Sequence, residues 1–454
     1  MKWKESLLMA AIVGTPLMAG CSESPTDTPA DDDPAIELER VVNDDFGIST
    51  LVPRGWSEHL SGRFRRGASL QTELITEFYP SMDAAWLIAS LILPALNISE
   101  LPARVGARQT AHFAWDLYTV QLGVGVRSVD LAIAEVPEGV YRVMMSASAT
   151  EYAVLHEQVF LPVVDALEAV DTSDPNVSYQ DGLILFDYDP QAPLDLQVLD
   201  STHTGNVSEL TISYASPKGG RVPGVILVPD GQGPFPGLVF MHSMPGTHEN
   251  IIGLGLVYAQ NGAVAILIDA PHGRPENRDR PEGPITFTAQ DRDEQIQLIV
   301  DLRRAIDVLV ARPDVDPDRM AYLGASYGGG MGGLLAGVET RLVAYVLIVG
   351  DCGLVSHVTG FLNPVDVSAS WVEAMWPIEP LHYVGHAGPA ALLYQAGLRD
   401  QAVAIANAVR YQRAGSEPKH IMWYDTDHWL NDQAWQDQQA WLQPFIGIGP
   451  AGSR

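Results

Sequence analysis

Positive charge is scarce in this chain of 454 residues: 27 Lys and Arg stand against 56 Asp and Glu, a formal net charge of −29. Binding to nucleic-acid phosphates wants a basic face, so a nucleic-acid partner is not expected. Cysteine is nearly absent. Cys21 and Cys352 are the two present, which permits one intrachain disulfide at most. The apolar run from Leu7 to Ala19 is shorter than the ~20 residues that a membrane-spanning helix needs. The N-terminal region has no repeat of about 40 residues, which disfavours a propeller. The glycine-rich stretch near residue 330 is not followed by Lys-Ser or Lys-Thr, which excludes a Walker-type phosphate loop. Against these absences, the chain is 46% hydrophobic and only 18% charged. It can bury a large core, and its length suits two or three domains.

The opening "MKWKESLLMAAIVGTPLMAGC" has Lys2 and Lys4, then the apolar run, then small residues. It reads as a signal peptide over residues 1–21. Met18-Ala19-Gly20-Cys21 resembles a bacterial lipobox, with Met18 where that motif usually has Leu. The resemblance implies a lipidated Cys21, which would leave Cys352 without a disulfide partner. It places the protein in the bacterial cell envelope, lipid-anchored or secreted, touching a membrane only through the anchor. Residues 22–40, rich in Pro, Asp, Ser and Thr, read as a disordered tether.

Two folded regions are expected. Over 41–170, "SLQTELITEFYP", "HFAWDLYTVQLGV" and "VDLAIAEVPEGVYRVMMSASA" read as strands, while "DAAWLIASLILPAL" and "EYAVLHEQVFLPVVDALEAV" have helical apolar spacing. This predicts a smaller α+β domain, an antiparallel sheet with helices packed on it. Its "PRGW" opening and its closing helix resemble PsbP-like folds. It shows no catalytic constellation, so tethering or binding is its expected role. After the linker "DTSDPNVSYQDG", strands and helices alternate over 179–448. "SELTISYAS" and "RVPGVILVP" form a leading hairpin around Lys218-Gly219-Gly220. The apolar strands "PGLVFMH", "AVAILIDAP", "RMAYLGAS", "LVAYVLIVGD", "PAALLYQAGLRD" and "KHIMWYDTDH" follow. Such continuously apolar strands imply a mostly parallel sheet covered on both faces.

Gly324-Ala325-Ser326-Tyr327-Gly328 fits G-x-S-x-G between a strand and a small-residue helix. A nucleophile on that sharp turn needs glycine two places before and two after, where side chains would collide. The turn also brings the Tyr327 N–H to a helix start, aimed at a developing oxyanion. A competing pattern exists: Gly328 to Gly333 reads literally as G-x-G-x-x-G, with Asp351 about 20 residues on. It starts too far into the helix to form the dinucleotide-binding turn, and in the correct register Ser326 replaces the second glycine. The extra glycines are expected to let the helix lie close on the sheet. Downstream, Asp400 follows one apolar strand and His428 follows the last, each at a strand end.

These motifs together, "GPFPGLVFMHSMPG", "RPDVDPDRMAYLGASYGGG", "LLYQAGLRD" and "WYDTDH", resemble the α/β-hydrolase family. The nearest flavour is the dienelactone-hydrolase and acetyl-xylan-esterase-like group, which shades into prolyl-oligopeptidase-like domains. The resemblance implies an α/β-hydrolase fold and acyl transfer to water with no cofactor and no metal. It assigns Ser326 as nucleophile, His428 as base and Asp400 as the acid that orients His428. Asp351 is the alternative acid. The oxyanion hole would use the backbone N–H groups of Tyr327 and Met244, with Ser243 as runner-up to Met244. His242 reads as a structural hydrogen-bonding residue; His272 and Arg274, in "DAPHGR", shape or line the cleft; Asp425 and Asp427 belong to the loop. The segment 351–390 reads as a helical insertion over the site, whose Trp371, Met375, Trp376, Pro377 and His382 either bind substrate or pack the insertion down. The expected activity is a serine carboxylesterase with a small-molecule ester substrate. A serine peptidase and a non-catalytic binding lipoprotein are the alternatives.

Overall fold

The computed structural model describes residues 35–67, 71–123, 126–172, 177–361 and 367–448. Cys21, the signal segment and most of the expected tether lie outside them. The tether reading is corrected at its end: residues 38–40 belong to strand β1 (Leu38–Asn43), which pairs antiparallel with β2 (Ile48–Pro53). Arg40 fixes that strand by donating to Ser49 Oγ at 2.8 Å and to Glu168 Oε1 at 2.9 Å.

The first region is an antiparallel sheet with helices, as its alternating strands predict. Its strands are β3 (Ser57–Leu60), β4 (Arg63–Arg65), β5 (Glu73–Pro80), β6 (Gly106–Gln109), β7 (Ala114–Leu122), β8 (Arg127–Val136) and β9 (Gly139–Ser148). They lie in the order β3-β4-β5-β9-β8-β7-β6; in a separate small sheet the short strand β10 (Glu168–Ala169) pairs with β2, giving the order β1-β2-β10. The helices over 84–96 and 152–166 each widen into a π turn, at Ile88–Ile92 and His156–Phe160. Their buried apolar side chains include Leu87, Ile92, Val159 and Phe160.

The second region holds nine strands: β11 (Gln197–Thr204), β12 (Val207–Ala215), β13 (Arg221–Pro229), β14 (Phe235–Met241), β15 (Val264–Ile268), β16 (Val315–Ala325), β17 (Ala344–Ile348), β18 (Ala391–Gly397) and β19 (Lys419–Tyr424). Their order is β11-β12-β13-β15-β14-β16-β17-β18-β19. Pairings as far as β13·β15 are antiparallel, and every later one is parallel. The central strands carry no alternation because both faces are covered: Leu238, Val239, Phe240 and Met241 are all fully buried. On one face Leu238 and Phe240 pack with residues of α1 (Ile252–Gln260) and α7 (Asp432–Ile446). The other face is taken by α2 (Ala289–Val310), α3 (Tyr327–Val338) and α6 (Ile405–Ala414). This is the mostly parallel, doubly covered sheet expected. Strand β11 is an addition, since all eight of its side chains are exposed and no apolar pattern marks it.

From Glu37 onward the chain forms one unit. The Trp423 indole of β19 donates to the Pro80 carbonyl at 2.9 Å, and Arg413 of α6 donates to the carbonyls of Asp44 and Val170. Among the described residues no helix is long and apolar enough to cross a membrane.

Candidate active site

Strand β16 runs straight into α3 with one residue between them, Ser326, whose backbone sits at φ 54° and ψ −112°. Non-glycine residues rarely occupy that region, and holding one there stores strain. Packing holds the turn in place. The Ser326 N–H donates to the Ile348 carbonyl at 2.8 Å, and the Gly328 N–H to the His242 carbonyl at 3.2 Å. A Cβ on Gly324 would stand 2.2 Å from the Gly328 carbonyl oxygen, and one on Gly328 would stand 2.3 Å from that of Met241. The next glycines serve contact with the sheet and its neighbours: a Cβ on Gly329 would meet the Ile348 oxygen at 2.6 Å, and one on Gly333 the Tyr411 hydroxyl at 2.0 Å.

The structure brings Ser326, His428 and Asp400 together. His428 Nε2 lies 3.0 Å from Ser326 Oγ, and His428 Nδ1 lies 2.8 Å from Asp400 Oδ2. The Asp400 side chain is buried, and its other oxygen accepts from the N–H groups of Ala402 at 2.7 Å and Val403 at 2.9 Å. A carboxylate so held must take Nδ1–H from the imidazole, which leaves Nε2 to accept from the serine hydroxyl.

Asp351, the alternative acid, has other partners than His428. Its carboxylate accepts from the Cys352 N–H at 2.7 Å, from Asn407 Nδ2 at 3.0 and 3.1 Å, and from His357 Nδ1 at 3.0 Å. His242 is structural: buried, with Nδ1 donating to the Ser243 carbonyl at 2.7 Å and Nε2 accepting the Ala270 N–H at 3.1 Å. Burial pushes it down to about 4, so it stays neutral. His272 packs edge-on against the Tyr327 ring, and burial lowers it to about 3. Arg274 does not line the cleft, because it is buried in an ion pair with Asp301. Asp425 pairs with Arg399, and Asp427 accepts the Trp429 N–H, both as loop residues.

A pocket of about 190 Å³ opens at Ser326. Tyr327, Met244, Met331, Leu354 and His357 line it, so both residues expected to offer oxyanion N–H groups border it. Ser243, the runner-up, turns its hydroxyl to the Ala325 carbonyl at 3.3 Å. The insertion contributes through α4 (Leu354–Phe361). Its aromatic residues pack it down instead: Trp371, in α5 (Ala369–Met375), is buried and donates Nε1–H to Asp291 at 2.8 Å, and Trp376 lies beneath the Arg410 guanidinium. Glu379 holds the start of α4, accepting the N–H groups of Leu354 and Val355 at 2.8 and 3.1 Å. Sequence reasoning missed His357, Glu379 and Asn407. The last two reach their partners across 25 and 56 residues, with no local spacing to mark them. His357, six residues past Asp351, carried a weak signal. Among the described residues no cluster of His, Cys, Asp or Glu is placed to hold a metal ion.

Residues 188–350 match the acetyl xylan esterase (AXE1) family. Among solved structures, the acetyl xylan esterase from Paenibacillus sp. R4 is 19% identical, over 60% of this chain and 97% of that one, with a TM-score of 0.52. Acetyl xylan esterase 1 from Thermoanaerobacterium sp. JW/SL YS485 is 15% identical, over 60% of this chain and 95% of that one, with a TM-score of 0.49. No curated protein matches the chain significantly. The second region therefore has the α/β-hydrolase fold, with a smaller antiparallel-sheet domain before it. Within that class, the chain is similar to acetyl xylan esterases.

Proposed function

We propose that the protein is a serine carboxylesterase that cleaves esters of short acyl groups. The observation that carries this reading is the pair of contacts, 3.0 and 2.8 Å, joining Ser326 to His428 and His428 to Asp400 on a strained strand-to-helix turn. The match of residues 188–350 to an esterase family supports a carboxylester hydrolase independently of that geometry.

In this reading Ser326 Oγ attacks the ester carbonyl while its proton passes to His428 Nε2. Asp400 keeps the ring in the productive tautomer and stabilises the imidazolium. The carbonyl oxygen, now an anion, is held by the N–H groups of Tyr327 and Met244. As the tetrahedral adduct collapses, His428 gives the proton to the departing alcohol and an acyl-enzyme remains. Water then repeats the sequence: His428 takes its proton, hydroxide adds to the acyl carbon, and Ser326 leaves with the proton returned. The acyl chain occupies the pocket beside Ser326, whose apolar wall of Met331 and Leu354 suits a short chain. We further propose that the enzyme is held at the cell envelope through Cys21.

The test is hydrolysis of p-nitrophenyl acetate by the wild type and by Ser326→Ala. The variant should lose about 10³-fold or more in kcat. Equal rates in the two proteins would remove Ser326 from the chemistry.

A further inference from the structure

The chemistry fixes where the departing alcohol must lie. Its oxygen takes a proton from His428 Nε2, so that oxygen stands within hydrogen-bond reach of the imidazole, and the carbon skeleton behind it starts there. The acyl group occupies the pocket of about 190 Å³ beside Ser326, with Met331, Leu354 and Ile285 among its walls. The alcohol, on the opposite side of the scissile bond, runs out past His428.

Beside His428 stands Trp429. Its relative exposure of 77% is the highest of the large apolar residues among the described residues. An indole carries two broad apolar faces that proteins usually bury, so one left in water at a reacting centre is an available surface. The loop that carries it is fixed on both sides. The Trp429 N–H donates to Asp427 Oδ1 at 2.9 Å, and the Arg399 N–H donates to the Thr426 carbonyl at 2.8 Å. The Asp427 carbonyl lies so close to the end of β18 that a Cβ on Gly397 would stand 2.4 Å from its oxygen. Two residues past the indole, Asn431 caps α7, accepting the Ala434 N–H at 3.2 Å. The indole is thereby set across the catalytic imidazole, with ring centres 6.1 Å apart and planes at 72°. That separation lets an alcohol held at His428 Nε2 reach the indole with its first few atoms.

Resting on the esterase reading above, we propose that Trp429 is a specificity residue for the leaving group: its exposed indole stacks on the alcohol and selects esters of uncharged alcohols built on a ring with an apolar face over esters of short linear alcohols. A ring presents its whole face to the indole at once and is already rigid, whereas a linear chain covers less of the indole and loses rotational freedom on settling there. The Asp427 carboxylate that accepts the Trp429 N–H adds negative charge beside the indole, which disfavours an anionic alcohol. The apolar face may belong to an aromatic ring or to the C–H face of a pyranose, since both stack on an indole in the same way.

The experiment measures kcat/KM for ethyl acetate, benzyl acetate and methyl 6-O-acetyl-β-D-glucopyranoside in the wild type, Trp429→Ala and Trp429→Phe. All three esters form the same acetyl-enzyme, so they differ only in the alcohol. Their intrinsic reactivities, and the titration of His428, cancel when each ring-to-ethyl ratio is compared between proteins at one pH. At least one ring-to-ethyl ratio should fall about tenfold in Trp429→Ala, the scale of one stacked ring, and recover in part in Trp429→Phe, which keeps an aromatic face. A fall for benzyl acetate alone assigns an aromatic alcohol, a fall for the glucoside alone assigns a pyranose, and a fall for both assigns the shared face; each supports the proposal. Both ratios unchanged in Trp429→Ala, whether the three rates stay put or fall together, would make Trp429 at most a support for His428 and would overturn the assignment while leaving the esterase reading intact. Failure of the wild type to hydrolyse any of the three esters or p-nitrophenyl acetate overturns both.

Discussion

Gly324 and Gly328 approach so closely at the end of β16 that a Cβ on the first would stand 2.2 Å from the carbonyl oxygen of the second, and 2.6 Å from the Tyr322 hydroxyl. The oxygen belongs to backbone and cannot swing aside. A methyl group at 324 must therefore displace the turn that carries Ser326. Gly324→Ala should cost about 1–3 kcal/mol of stability, the usual scale for overpacking a tight site. It should cost far more in activity, at least ~10²-fold in kcat, because a shift of about 1 Å misaligns the nucleophile. Urea unfolding and p-nitrophenyl acetate kinetics on one preparation separate the two effects; near-normal kcat would mean that the turn tolerates the shift.

The two candidate acids differ in what they touch. Asp400 meets the His428 ring, while Asp351 meets Asn407 and His357. Asp400→Asn keeps the size but presents the wrong donor to Nδ1, and kcat should fall about 10³–10⁴-fold. Asp351→Asn should lower p-nitrophenyl acetate turnover by less than about tenfold, the scale of one lost hydrogen bond. Comparable losses in the two variants would contradict the assignment.

One arginine of the hydrolase region meets the N-terminal region at several points. The Arg413 guanidinium donates to the Asp44 carbonyl at 3.0 Å, the Asp45 carbonyl at 3.3 Å and the Val170 carbonyl at 3.1 Å. Removing it leaves these acceptors without that partner. Arg413→Ala should destabilise the protein by about 2–3 kcal/mol. Limited proteolysis should show earlier separation of the N-terminal region, while the esterase rate of intact protein stays within a few-fold. An unchanged proteolysis pattern would show that Trp423 and the remaining contacts suffice.

Much of this was legible in the sequence where the determinants are local. The run from Arg319 to Leu334 gives strand, turn and helix within sixteen residues, and its glycines are required by contacts inside that motif or with its immediate neighbours. The buried parallel strands announce themselves because both faces are covered. Polar determinants that act across the fold were not legible. Strand β11 has eight exposed side chains, so it forms by backbone pairing to β12 and leaves no apolar pattern. In the sequence Trp371 suits substrate and packing equally, and the buried Asp291 carboxylate, 80 residues away, decides for packing. Arg274, which the sequence leaves to shape or to line the cleft, is buried against Asp301 of α2.

A stability prediction follows from Glu379. Burial raises this carboxyl from 4.5 to about 8, against the lowering effect of the Val355, Ser356 and Leu354 N–H groups. The folded state thus holds a proton that the unfolded chain has already lost between those values. Unfolding releases that proton, so this contribution to stability falls as pH rises from about 5 to 8. The urea midpoint should drop across that range more steeply in the wild type than in Glu379→Gln, which has no proton to lose. Parallel pH dependences would remove Glu379 as the cause.

Covalent labelling reports straight on whether Ser326 carries the chemistry. The purified protein is treated with a fluorophosphonate, digested, and the modified peptide is located by mass spectrometry. A single adduct on Ser326, lost in His428→Ala, is the predicted result. No adduct, or an adduct on another residue with Ser326 unmodified, would show that Ser326 is not the nucleophile.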